Sequence, residues 1–202
     1  FLAGIDGDYD GDQTTSRILW SQEANDDCEK EMNKKNFYLS ISGGLIRQCS
    51  HEATQTLYML TKDIDPKARV LKPEDVVYFT SIKPDGYTFT LITDLFADYT
   101  KMTDDRRSTT TIKSKYNSSD IIDLKPSESP TGKALKTTLG RYILYRALIV
   151  YCELDKIIPF FEKPIEKGYF KKIESEIAYA YQTDKITTTI LKRYIDTRDW
   201  IG

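Results

Sequence analysis

The chain has 202 residues, enough for one large domain or two small ones around a sizeable hydrophobic core. Apolar residues make up 40% and aromatics 12%, which excludes a disordered chain. Lys and Arg number 29 against 31 Asp and Glu, for a net charge of −2, so the basic excess of a free-standing nucleic-acid binder is missing. One local basic surface inside a larger assembly remains compatible with that balance.

The first feature along the chain is DGDYDGDQ (6–13), in which Asp6, Asp8, Asp10 and Asp12 alternate with Gly and Tyr. TTSRILW (14–20) alternates as a short strand does. Ser21 is then placed to cap a helix running to about Asn36, with Glu23, Asp26 and Asp27 near its N-terminus, where the dipole favours negative charge. FYLSIS (37–42) reads as extended, and Gly43-Gly44 marks a turn. Ser50 caps a second predicted helix over 51–63, whose Ala53, Leu57 and Leu60 recur at helical spacing.

VVYFTSI (76–82) and YTFTLIT (87–93) are rich in β-branched and aromatic residues and flank KPDG, so the pattern predicts a β-hairpin. From Lys101 to Lys133 the chain is polar and predicts a long loop or insertion. Residues 133–151 pass from polar to strongly apolar around Gly140. Two final helices are predicted, one from Pro164 with Phe170, Ile173 and Ile177 inward, the other from near Asp184 with Ile186, Ile190 and Tyr194 inward. Gln182-Thr183-Asp184 joins them as a tight αα-hairpin. The most apolar run, 142–161, contains Arg146, Glu153, Asp155 and Lys156, so it is core rather than a membrane span. The chain starts at Phe1 and stops inside a helical pattern, which reads as part of a longer polypeptide.

Cys28, Cys49 and Cys152 are scattered, form no CxxC pair, and accompany a single histidine, His51. A structural zinc site therefore lacks ligands and a disulfide scaffold is not expected. Buried, inert thiols in a reducing intracellular setting are the expectation, with His51 a polar surface or capping residue.

Four carboxylates in seven residues repel one another unless a cation or water separates them. A calcium hand starting at Asp6 would place Arg17 at its twelfth position, where a bidentate Glu is required, and the visible sequence shows no entering helix. A solvated turn is a second reading, since Asp and Gly are turn residues, although turns seldom need carboxylates at strict i, i+2, i+4 spacing. Magnesium, a hard ion that takes oxygen ligands and keeps positions for substrate phosphates, suits the spacing, and Gly11 lets the backbone bend closely around it.

GDYDGDQ (7–13) resembles the NADFDGDQ signature of the largest, β′-like subunit of multisubunit DNA-directed RNA polymerases. Downstream segments resemble that family in the same order: QEAN (22–25), NFYLS (36–40), Gly43-Gly44, LYMLTKD (57–63), TTLGRYIL (137–144), KGYFKKI (167–173) and DTRDWIG (196–202). Residues 64–132 have no counterpart. The resemblance implies that Asp8, Asp10 and Asp12 are catalytic and bind Mg2+, which would hold the RNA 3′-hydroxyl and the α-phosphate of the incoming nucleotide. Asp6 stands where the family places an Asn that reads the ribose, and an aspartate there accepts but cannot donate. Arg141, in TTLGR, is a candidate substrate-binding residue, and with the cluster Lys163, Lys167, Lys171 and Lys172 could touch nucleic-acid phosphates, although a solvated helix face accounts for the lysines as well.

The implied fold is α+β. Residues 1–49 would belong to a double-psi β-barrel carrying the acidic loop, and 50–202 to a mixed helical and β pore region with an insertion around 64–132. The implied partners are a β-like subunit, the rest of the β′-like chain, template DNA, nascent RNA and NTPs, with no membrane. The implied location is the cytoplasm of a bacterial or infected host cell, and the zinc-free composition would suit a phage-type enzyme. An RNA-copying two-barrel polymerase and a calcium-dependent binding module are the alternatives. SESPTGKA (127–134) departs from a phosphate-binding loop at Ser127 and Ala134, and reads as an ordinary loop.

Overall fold

The computed structural model describes residues 11, 13, 15–32, 37–40, 42–47, 49, 51–82, 99–102, 109–112 and 114–201. In chain order these form α1 (Gln22–Met32), α2 (His51–Leu60), α3 (Pro73–Ser81), β1 (Tyr99–Met102), β2 (Thr109–Ile112), β3 (Ile121–Leu124) and β4 (Leu135–Thr138). There follow α4 (Leu139–Tyr145), a π-helical turn (Arg146–Val150), α5 (Lys167–Gln182) and α6 (Thr188–Ile201). The fold is mixed helix and small sheet, with β1 antiparallel to β2 and β3 antiparallel to β4. No helix among the described residues is long and apolar enough to cross a membrane.

Several elements form where local chemistry places them. Ser21 Oγ accepts from the Ala24 amide at 3.1 Å, capping α1 as its position predicts. Around Gly43, at φ +83°, the chain doubles back. Ser40 N donates to Gly44 O at 2.8 Å, and Leu39 bridges Leu45. Of the expected extended stretch at 37–42, the described residues 37–40 and 42 show pairing only as the single bridge at Leu39. α5 ends with Asp184 at φ +57°, its amide bonding Tyr181 O, while the Lys185 amide reaches back to Ala180 O. That is a Schellman ending with Asp at the left-handed position. The two closing helices therefore pack as an αα-hairpin, but start at Lys167 and Thr188, three or four residues later than the pattern suggests.

Three expectations are corrected. VVYFTSI is not a strand: α3 begins with Pro73 at its first position and Glu74 and Asp75 in its first turn, and buries Val76 and Phe79 on one face. The helix-start chemistry and the i, i+3 burial override the β-propensity of the side chains. The partner arm YTFTLIT and its turn lie outside the described residues. Secondly, the polar region 101–133 is not one long loop, since β2 and β3 and the end of β1 fall within it. Thirdly, 15–20 form no strand, and Ile18, Leu19 and Trp20 are exposed, Trp20 by 91%. Alternation supplies a face, but a strand exists only with a hydrogen-bonded neighbour.

The core joins α2, α3, β3, α4, the π turn, α5 and α6 in one apolar cluster, which also takes in Leu39 and Leu45. Arg146, at the start of the π turn, donates to Phe79 O and Thr80 O at 2.8 and 3.1 Å and so satisfies carbonyls at the end of α3. Cys152 is buried, whereas Cys28 is exposed and Cys49 half-buried, so the expectation of buried thiols holds fully for Cys152 alone. The 127–134 segment is a loop, with Gly132 at φ +69°.

Candidate functional site

Of the acidic loop, the structure describes Gly11 and Gln13, while Asp6, Asp8, Asp10 and Asp12 lie outside the described residues. Gly11 has φ +121°, a conformation that side chains on L-residues disfavour, and it is exposed with open space where a Cβ would stand. The four aspartates supply hard carboxylate oxygens, the donor type that suits magnesium, and Gly11 stands between Asp10 and Asp12 in the sequence. Among the described residues no group of three or more His, Cys, Asp or Glu is arranged to hold a metal ion.

Two segments singled out for their motifs, LYMLTKD and TTLGR, meet directly. Gly140 lies against the end of α2 so closely that a Cβ would stand 2.1 Å from Leu60 O. Arg141 is buried, donating from Nε to Thr61 O at 2.8 Å, from Nη2 to Asp63 Oδ1 at 2.7 Å and from Nη1 to Glu162 O at 3.1 Å. Thr61, also buried, donates to Leu57 O and accepts from the Ile165 amide, both at 2.8 Å. The amides at the start of α4 are satisfied in turn. Leu139 N donates to Asp120 O, Gly140 N to Ser118 O and Arg141 N to Thr138 Oγ1. The guanidinium of Arg141 is thus engaged within the fold, holding α2, α4 and the 162–165 segment together.

No protein family, curated protein or solved structure matches this chain.

A second convergence brings together the Gly43-Gly44 turn, KGYFKKI and DTRDWIG. Arg198, with no exposed area, bonds Glu174, Asp199 at 2.6 and 2.9 Å, and Arg47 O at 2.9 Å. Arg47 in turn reaches Asp199 at 3.1 Å. Burial pushes the Glu174 carboxyl above its ordinary range, against the lowering pull of Arg198. In front of this pair opens a cleft of about 340 Å³, with Lys167, Lys171 and Glu174 on one wall and Gly44, Leu45 and Cys49 on the other. Burial raises the Cys49 thiol as well, so it is less ready to ionise than an ordinary cysteine.

Of the remaining candidates, Lys163 lies with its ammonium 5.3 Å from the centre of the Tyr169 ring, a cation–π contact, and Lys172 is exposed. Sequence reasoning missed Arg198, Glu174, Asp63 and Thr61. Arg198 and Glu174 are 24 positions apart and Arg141 and Asp63 are 78 apart, spacings that no local period reports.

Proposed function

We propose that this chain is the active-site segment of a β′-like catalytic subunit, part of a multisubunit DNA-directed RNA polymerase that extends RNA from NTPs. The observation that carries the reading is the spacing of Asp8, Asp10 and Asp12 around Gly11, followed by the resembling segments in the family's order. The positive φ of Gly11 supports a sharply turned acidic loop, and the contact between LYMLTKD and TTLGR supports treating those two segments as one unit.

In this reading Asp8, Asp10 and Asp12 hold Mg2+, which when bound supplies Lewis-acid stabilisation of the transferring phosphate. The carboxylates present oxygen donors from one short loop, and Asp6 adds negative charge beside them. The β-like subunit and the rest of the polypeptide supply the nucleic-acid channel, so the activity belongs to the assembly.

Asp10→Ala in the complete, assembled enzyme is expected to lower RNA synthesis by at least about a hundredfold while leaving assembly intact. Near-normal synthesis by that variant overturns the catalytic assignment. Running the same assay on DNA and on RNA templates tests the template class, and a preference for RNA overturns the DNA-directed reading.

A further inference from the structure

The cleft between α5 and the 44–49 segment is not accounted for by the acidic loop. Its volume, about 340 Å³, falls in the range of small-molecule sites and exceeds what a lone inorganic ion fills. Its chemistry is divided. Lys167 and Lys171 stand one helical turn apart on α5, both exposed, and neither makes an ion pair among the described residues. Lys167 is the first residue of α5, at the positive end of the helix, with Glu166 at the N-cap before it and no acidic side chain within the first turn itself. Two ammonium groups at such a place match a dianion better than a monoanion. Phosphate is the biological dianion that lysine commonly holds as a point charge.

The other side of the cleft differs. Leu45 and Phe170 are buried apolar residues on its lining. Glu174 meets Arg198 through Oε1, which leaves Oε2 with acceptor capacity. A carboxylate fixed by a buried arginine suits hydroxyl donors and repels a second anion. We propose that the cleft binds a small phosphate monoester with a hydroxylated organic body, its phosphate between Lys167 and Lys171 and its hydroxyls against Glu174. The site stands independently of the polymerase reading.

The probe is adenosine 5′-monophosphate, titrated calorimetrically into the full chain in a magnesium-free buffer with chelator. Adenosine and inorganic phosphate serve as the two half-ligands. Saturable binding of the monophosphate, at least about tenfold tighter than either half-ligand, is the expected result. Lys171→Glu and Lys167→Ala are each expected to weaken it by about tenfold or more, while Lys136→Glu, on β4 and outside the cleft lining, leaves it unchanged. Absence of saturable binding, equal affinity for adenosine, or equal affinity in Lys171→Glu overturns the phosphate assignment. Inorganic phosphate binding as tightly as the monophosphate overturns the assignment of an organic body. With metal chelated, the acidic loop takes no part, so failure here and failure of the polymerase reading are separate results.

Discussion

Arg198 is fully buried, yet it has three protein partners: Glu174, Asp199 and the Arg47 carbonyl. Burial raises the Glu174 carboxyl despite the neighbouring guanidinium, which means desolvation outweighs the attraction at that atom. A pair of this kind is costly to break and weakly stabilising to keep. Arg198→Met, which strands Glu174, is expected to cost about 3–5 kcal/mol in chemical denaturation. Arg198→Met combined with Glu174→Leu is expected to recover most of that loss, because the stranded charge leaves with its partner. A double variant as unstable as the single one would contradict this account.

At the scale of elements, the join between α2 and α4 rests on the missing side chain of Gly140. Gly140→Ala drives a Cβ into Leu60 O, a backbone atom with no rotamer to escape through, and is expected to destabilise by ~3 kcal/mol. Gly168→Ala is the matched control. It lies within α5 with no atom within 4 Å of the new Cβ, and is expected to stabilise by about 0.5–1 kcal/mol. Thermal or urea melts of the two variants, shifted in the same direction, would refute the contrast. The elements legible in the sequence are those with local signals. Ser21 announces the start of α1, Gly43 the turn, and Phe170, Ile173 and Ile177 the buried face of α5. α3 was hidden because Val76, Val77, Tyr78 and Phe79 carry strand propensity, while Pro73, Glu74 and Asp75 carried the contrary helix signal. The acidic triad is a reading of spacing, and Asp8, Asp10 and Asp12 lie outside the described residues. Glu174 with Arg198, and Asp63 with Arg141, were not legible, since ion pairs between distant positions leave no period in the sequence.

Across the whole molecule, burial holds protons on groups that lie deep in the core. The Cys152 thiol is pushed up to about 11 and the Tyr145 hydroxyl to about 12, both chiefly by desolvation, and buried Tyr194 is raised too. Each keeps its proton in the folded state at pH values where the unfolded chain has lost it. The associated stability is therefore complete below pH 9, the ordinary value for the thiol, and declines as pH rises through about 11 for Cys152. Urea denaturation from pH 8 to 11 is expected to show that decline. Cys152→Ala is expected to flatten it by up to about 1.4 kcal/mol per pH unit, and an unchanged slope would count against Cys152 as a contributor.

The contact of Arg141 with Thr61 has a further consequence. Arg141 Nε and Thr61 O are 2.8 Å apart, so the 79 residues between those two positions begin and end at a single point. That excursion ties itself together. Phe79 packs edge-on against Tyr116, the Tyr116 hydroxyl donates to Asp75, and Val70 bridges Ile121 in parallel. A detour with pinned ends and its own internal bracing can change length at its far side without moving the anchor. Loop closure makes each doubling of such a path cost only about 0.6 kcal/mol. Length can therefore vary inside this excursion without moving the anchor, whereas its α3 and β3 are themselves fixed in the shared core.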